Sequence, residues 1–395
     1  MASISLTISA NVRRRCVPFS LRRYFTTTDL DRWQRRCDRL AQLQRSIRFP
    51  PLQTLTVHGE TYELPLVAAE PFRTPSQEEL EYLVGFFDGD GCVSMVKSTG
   101  QVRLAVGQTI ESAEVLLHFR SLLGSGVYAM TTATGSRKAT VQWSVSGTKM
   151  QEAAAALSSI PSMKQAQLEI AMRGRVGLDD RNSVEQKLKI FKRKQHVPGQ
   201  LPNCSWPYLA GFFDAEGSIV VKVNFGMRLT LEQVNPRALI QLQSFLHRNQ
   251  LQGWSLYHYA RSSVLGCWEL GECKGFLERL LAHGLLVKRK QAELALTLSA
   301  ENHLEIRDAI SALNGWQKRY QRLDREGIAR TTEIRRLQIR LRSRVGLEYA
   351  FLQCQLDDLR SVNALQKLIS RSTLLRNDMR QALREGGHLT PFSSS

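Results

Sequence analysis

The spacing of apolar and polar positions outlines the elements. Over residues 29–48, Leu30, Trp33, Leu40 and Leu43 fall on one side of a short basic helix that Pro50 and Pro51 must end. Leu52 to Phe72 is extended and turn-rich. A regular block begins near Thr74. Ser76 and Glu79 are spaced as a capping box ahead of an apolar run, which predicts a helix through Phe87. The extended stretch Cys92 to Val96, a turn at Ser98-Thr99-Gly100 and a strand to Gln108 read as a hairpin. A helix bearing Leu116, Phe119, Leu122 and Leu123 stops at Gly124. A second hairpin ends near Trp143, and a helix covers 148–173.

The same order then returns. Ser205 is placed as an N-cap with Pro207 in the first turn, and the helix reaches Asp214. Strands are predicted at Ser218–Asn224 and Arg228–Gln233, a helix at Pro236–Arg248 and a hairpin over Trp254–Trp268. A helix pair runs from Cys273 to Leu298. The fold class is therefore α+β: two αββαββα repeats, each an antiparallel sheet with helices on one face and the other face free. Residues 174–203, with Lys187, Lys189, Lys192, Arg193 and Lys194 before Pro198-Gly199, read as a basic linker. The pattern divides the chain into an N-terminal extension (29–73), repeat one (74–173), the linker (174–203), repeat two (204–315) and an α-helical C-terminal extension (316–395). In this last part arginines crowd 319–344 and leucines recur at helical spacing from Leu347 to Leu383. Apolar spacing of that kind marks a helical hairpin packed on its own protein.

The repeats share a nonapeptide. Leu83-Val84-Gly85-Phe86-Phe87-Asp88-Gly89-Asp90-Gly91 returns as Leu209-Ala210-Gly211-Phe212-Phe213-Asp214-Ala215-Glu216-Gly217. Duplication at this scale implies pseudo-twofold symmetry. Gly85 and Gly211 stand mid-helix, where glycine costs about 1 kcal/mol against alanine, so close approach of two helices is expected. Gly91 and Gly217 suit a left-handed helix stop. Asp90 and Glu216 then lie at helix C-termini, whose partial negative charge repels carboxylates. A divalent cation held between them would relieve that cost and supply Lewis-acid chemistry.

Net charge is +18 and hydrophobic content 43%. Such a field draws polyanions, nucleic acid first among them; a solvated basic surface is the plainer alternative. No run of 18 apolar residues is present, so no membrane partner is expected. The seven cysteines include no Cys-x-x-Cys, and neither a disulfide framework nor a zinc module is indicated. Residues 1–28 carry Arg13, Arg14, Arg15, Arg22 and Arg23 among Ser and Thr, with no acid. That is the composition of an organellar transit peptide, for chloroplast or mitochondrion; an ordinary basic arm is the alternative.

The doubled nonapeptide resembles the LAGLIDADG homing endonuclease family in its single-chain, two-motif form, over residues 74–315. The resemblance implies a monomeric pseudo-dimer with a saddle-shaped sheet surface on double-stranded DNA. It assigns Asp90 and Glu216 as the metal-binding catalytic pair, with Mg²⁺ or another divalent cation as cofactor. Asp88 and Asp214 would be structural. Gln108 and Gln233, at matching strand ends, would stand near catalytic water. Lys288, in Val287-Lys288-Arg289-Lys290-Gln291-Ala292, matches a lysine near the active site. Aligning Gln165-Ala166 with Gln291-Ala292 puts Ser162 at that position and Lys164 two residues on, which makes the two sites unequal.

Strand side chains alternate, so residues in phase with each acid would face the groove. In the second half these are Ser218, Lys222, Asn224, Arg228 and Thr230. In the first they are Cys92, Ser94, Ser98, Gln101 and Arg103, with apolar Val96 and Ala105. An exposed polar face without a ligand is the alternative. Sequence thus points to a site-specific, divalent-metal-dependent DNA endonuclease making staggered double-strand breaks. The competing function is an organellar RNA maturase, a splicing factor using the same fold on intron RNA without cleavage, which the arginine-rich tail would suit. A DNA-packaging protein is a third class, disfavoured by the double motif.

Overall fold

The structure is a computed structural model that describes residues 27–67, 74–193, 204–223, 225–313, 320 and 323–390. The leader expected over 1–28 lies outside the described residues up to position 26. The chain divides into two compact units. One comprises residues up to 45 and 320–384, the other 46–319 and 385–395.

In chain order the elements are α1 (Thr27–Ser46), β1 (Ile47–Arg48), β2 (Thr54–Val57), β3 (Glu60–Glu63), α2 (Gln77–Asp90), β4 (Gly91–Val96), β5 (Gln101–Thr109), α3 (Glu114–Leu123), β6 (Gly126–Thr131), β7 (Thr140–Ser146), α4 (Thr148–Ser158), α5 (Gln165–Met172) and α6 (Arg181–Arg193). The second half contributes α7 (Trp206–Glu216), β8 (Gly217–Val221), β9 (Met227–Gln233), α8 (Pro236–Arg248), β10 (Ser255–His258), β11 (Ser263–Cys267), α9 (Leu270–Ala282), α10 (Arg289–Leu296) and α11 (His303–Leu313). Last come α12 (Arg325–Leu341), α13 (Gly346–Arg384) and β12 (His388–Leu389).

The α+β class and the duplication expected from sequence are both present. Each repeat builds a four-stranded antiparallel sheet with the same neighbour order, β4-β5-β7-β6 and β8-β9-β11-β10. Alternation sets the layers. Val93, Val102, Leu104, Val106, Val141 and Trp143 point into the core with α2, α3 and α4, as Ile219, Leu229, Leu231 and Leu265 do with α7, α8 and α9. Opposite faces stay open, with Ser94 paired to Arg103, and Ser218 to Thr230.

Three expectations change. The helix predicted over 148–173 is broken between α4 and α5. Pro161 has no N–H and disfavours helical backbone at Ile160. The segment read as a basic linker carries α6, whose Val184, Leu188 and Phe191 pack on the core at positions i, i+4 and i+7. Dense lysines hid that period. The N-terminal extension is divided: residues 46–67 join the repeats, with Leu55 in the core, Leu66 bridged to Val127 on β6, and β1 paired to β12.

Up to Arg45, α1 belongs with the C-terminal helices. There Cys37 Sγ meets the Leu368 carbonyl at 3.2 Å, Gln44 bonds the Tyr320 hydroxyl, and that hydroxyl donates to Asp378 at 2.7 Å. Leu337 and Leu341 of α12 pack on Leu352 and Leu356 of α13. The expected helical hairpin is therefore present, with the N-terminal helix as a third member.

Candidate active site

The two nonapeptide helices start from side-chain caps. Ser76 Oγ accepts from the Glu79 N–H at 3.2 Å while Glu79 returns a bond to the Ser76 N–H at 2.9 Å, completing the capping box. Ser205 Oγ accepts from the Tyr208 N–H at 3.2 Å and donates to Glu81 of α2 at 2.5 Å. Halfway along, the backbones touch. A Cβ added to Gly85 would collide with the Tyr208 carbonyl, and one added to Gly211 with the Tyr82 carbonyl. The close approach expected of these glycines is what the helices show.

Further along, a Cβ on Gly89 would collide with that of Ala215 and stand 3.1 Å from Glu216 Cγ. The packing therefore brings the two acid-bearing helix ends together. Gly91 and Gly217 do not make left-handed stops, contrary to the sequence expectation. Their φ, ψ pairs are −70°, 150° and −75°, 152°, ordinary extended backbone that takes the chain straight from helix into strand. Glycine is required there for room: a Cβ would meet the ring and carbonyl of Phe87 or Phe213.

Asp90 is open to solvent and Glu216 half-buried. Gln108 Nε2 donates to Asp90 Oδ2 at 2.5 Å and Gln233 Nε2 to Glu216 Oε1 at 2.9 Å, so both glutamines stand beside the acids they were expected to neighbour. Each amide fixes one carboxylate oxygen. Although water reaches Asp90, the protein around it desolvates the carboxyl and pushes it above the usual range, against the pull of Lys288, Gln108 and Lys164. Glu216 is raised by burial and then by the charge of Asp90, against Lys164 and Lys288. Two mutually repelling carboxylates at two helix ends thus lie within the field of two part-buried ammonium groups.

The lysines correct the sequence alignment. Lys164 is the N-cap of α5, with φ −100° and ψ 15°; Lys288 is the N-cap of α10, with φ −99° and ψ 12°. Their N–H groups bond Asp88 and Asp214 at 3.3 and 2.7 Å. Lys164 is therefore the counterpart of Lys288, and both half-sites carry the lysine. The Gln-Ala alignment slipped by two because α10 holds Arg289 and Lys290 before its glutamine while α5 begins with Gln165. Ser162 instead donates its hydroxyl to Asp88 at 2.5 Å. The side chains are held unequally. Lys164 Nζ donates to the carbonyls of Phe87, Gly91 and Gly89 at 2.6, 2.6 and 3.2 Å; Lys288 Nζ bonds the Asp214 carbonyl. Burial lowers both ammonium groups, opposed for Lys164 by Asp88 and Asp90 and for Lys288 by Asp214 and Asp90.

Asp88 and Asp214 are buried and fully engaged. Asp214 takes the N–H groups of Leu286, Val287 and Lys288, and Asp88 those of Met163 and Lys164. Burial still raises both carboxyls. Each also accepts a tyrosine hydroxyl from the other repeat, at 2.8 Å from Tyr82 to Asp214 and 2.9 Å from Tyr208 to Asp88. Sequence reading missed Tyr82 and Tyr208. The signal was available: both stand one residue before the nonapeptide.

The strand residues singled out from sequence divide among open face, turn and interior. Ser218 and Arg228 are exposed, and Lys222 and Thr230 partly so. Asn224 lies outside the described residues. In the first half Cys92, Ser94, Gln101 and Arg103 share a face, while Ala105 is covered. Arg103 is already engaged by Gln142 across the sheet. Ser98 is in the hairpin turn, where its carbonyl accepts from Arg181 of α6 at 2.6 Å. The sequence list omitted exposed Tyr128 on β6 and Tyr257 on β10; both lie in the same phase by register.

No cluster of three or more His, Cys, Asp or Glu fit to hold a metal occurs among the described residues. The donor set at the helix ends is two carboxylates with amide neighbours and no thiolate or imidazole. Such a set suits a hard, oxygen-seeking cation that keeps most of its shell for water and phosphate, as Mg²⁺ does, and not a structural zinc.

No family model matches the chain, and no curated protein matches it. Among solved structures it is similar to the LAGLIDADG meganuclease I-AabMI bound to uncleaved DNA, at 16% identity and TM-score 0.46, over 60% of this chain and 99% of that one. The homing endonuclease I-GzeII in complex with its DNA target gives 13% and 0.44, and the meganuclease I-CpaMI bound to uncleaved DNA 15% and 0.43, each with the same coverage. The likeness first suggested by the nonapeptide thus recurs among solved structures at low identity.

Proposed function

We propose that the chain is a site-specific endonuclease that cuts both strands of duplex DNA at staggered positions. The observation that carries this reading is the pairing of Asp90 with Glu216 at two touching helix ends, each tethered by a strand glutamine and in the field of part-buried lysines. Asp90 and Glu216 would hold Mg²⁺ or another divalent cation, which when bound supplies Lewis-acid stabilisation and a more acidic water. Gln108 and Gln233 fix one oxygen of each acid and leave the other for ligands. Lys164 and Lys288 offset the acids' charge and stand where an ammonium stabilises a phosphate gaining charge. On the open faces Lys222 and Arg228 donate to base edges, with Ser218 and Thr230 beside them.

The test is cutting of a randomised duplex library in Mg²⁺. Asp90→Asn and Glu216→Gln should keep binding while cutting falls by at least ~10²-fold, the scale of losing a main electrostatic element. Undiminished cutting by the double variant would overturn the assignment. A second reading, an organellar splicing factor acting on intron RNA, draws on exposed Arg335, Arg336 and Arg340 of α12 and the expected transit peptide. Preference of the full chain for structured RNA over every duplex would select it.

A further inference from the structure

Tyr82 and Tyr208 are buried to 4% and 0% exposure, and their hydroxyls cross between the repeats. Packing alone needs only the rings, and a buried hydroxyl costs stability unless bonded. Each bond ends on a carboxylate whose other partners form the segment that leads into a helix and ends at its lysine N-cap. Asp214 Oδ2 takes Tyr82 together with the Leu286 and Val287 N–H groups, while Oδ1 takes Lys288 N–H. Asp88 Oδ2 takes Tyr208 and Met163 N–H, while Oδ1 takes Ser162 and Lys164 N–H. Among the described residues, the tyrosine is the donor from the opposite repeat in both sets.

We propose that Tyr82 and Tyr208 are positioning residues: each hydroxyl, through the carboxylate of the opposite repeat, sets where that repeat's active-site lysine stands. The inference rests on the nuclease reading, and it deepens it. Tyr82 governs Lys288 and Tyr208 governs Lys164. The two effects are unequal. Lys164 Nζ is also held by three carbonyls around the end of α2, whereas Lys288 Nζ has the Asp214 carbonyl alone among its described bonds. Loss of the Tyr82 hydroxyl therefore frees its lysine more.

The experiment uses full-length Tyr82→Phe and Tyr208→Phe, which keep ring and shape. The substrate is a duplex recovered from a randomised library by wild-type cutting in Mg²⁺, with a different dye on each strand. Tyr82→Phe should shift the ratio of the two nicking rates by about tenfold, the scale of one hydrogen bond to a charged group. Tyr208→Phe should shift it the opposite way and by less. Loosened packing would slow both strands together. In parallel, lysines are pulse-labelled with an amine-acylating reagent in the absence of DNA and read by mass spectrometry. Tyr82→Phe should speed labelling of Lys288 and leave Lys164 unchanged, and Tyr208→Phe the reverse. An unchanged strand ratio with both lysines labelled alike overturns the proposal. If the wild type cuts no duplex, the nuclease reading fails, and the labelling pattern alone decides for or against the tyrosines.

Discussion

Gly85→Ala places one methyl group where the second nonapeptide helix has its backbone. The Cβ would overlap the Tyr208 carbonyl oxygen and approach the Phe212 nitrogen at 3.0 Å. Those are main-chain atoms of a hydrogen-bonded helix, so no side chain can swing aside and the helices must part. Overpacking of this kind costs ~1–3 kcal/mol, and contact with backbone argues for the upper end. Alanine's better helix propensity returns about 1 kcal/mol. The net expectation is a loss of about 2 kcal/mol. Gly275 in α9 supplies the internal control, because a Cβ there meets nothing within 4 Å. Gly275→Ala should show only the propensity gain. Gly211→Ala should match Gly85→Ala, since its Cβ overlaps the Tyr82 carbonyl in the same way. The double variant should cost less than the sum by about 1 kcal/mol, because one widening relieves both clashes. The assay is denaturant unfolding followed by tryptophan fluorescence, to which Trp143, Trp206, Trp254 and Trp268 of the repeats contribute four of the chain's six tryptophans. Parting the helices also separates Asp90 from Glu216, and on the proposed nuclease reading a misplacement near 1 Å should lower cutting by about 10²-fold. Stability of Gly85→Ala equal to that of Gly275→Ala, or strict additivity in the double variant, would refute backbone contact between the helices.

The raised carboxyls of Asp90 and Glu216 give a stability effect of known sign. Their contribution is full below the unfolded values of 3.8 and 4.5 and is lost as pH rises through the higher folded values. Asp90→Asn should therefore gain on wild type as pH rises from acid to neutral without divalent cation, and Mg²⁺ should erase the difference by stabilising wild type alone; parallel pH profiles in paired melts would contradict this. Lys222→Ala and Arg228→Ala should each cost ~1–3 kcal/mol at the preferred duplex and relax base preference nearby, as read by site-library selection. Alanine at Arg335, Arg336 and Arg340 should lower affinity for every sequence equally and flatten its salt dependence, with base preference intact. Preference lost with the arginines but kept without Lys222 and Arg228 would put base reading in the wrong place.

The legible parts of the sequence were those whose signal is local. Ser76 with Glu79 and Ser205 with Pro207 marked both helix starts, and Pro236–Arg248 came out as α8 residue for residue. Gly85 and Gly211 were legible because mid-helix glycine carries a cost that duplication makes hard to dismiss. What failed depended on partners distant in the chain. Lys164 was misaligned because the lysine turn is registered by Asp88, more than seventy residues upstream, and not by the neighbouring Gln-Ala. Tyr82 went unnoticed because its hydroxyl finds its acceptor in the other repeat. The φ of Gly91 was misjudged because the demand on that position comes from the Phe87 ring and not from a turn. The union of α1 with α12 and α13 left no local trace.

The crossed tyrosine–carboxylate bonds bear on how such a chain can be inherited. After duplication, each copy keeps in its own buried interior a group that the other must satisfy. Loss of Asp214 would strand the buried Tyr82 hydroxyl, and loss of Tyr82 would take from Asp214 one of its four donors; the same holds for Asp88 and Tyr208. Open-face strand residues carry no such obligation. Recombining halves from diverged descendants should therefore succeed where the donor retains tyrosine before its nonapeptide and aspartate at its sixth position, however far the strands have wandered. The crossed bonds would make the interface a compatibility lock between such halves, a constraint the open-face strands do not share.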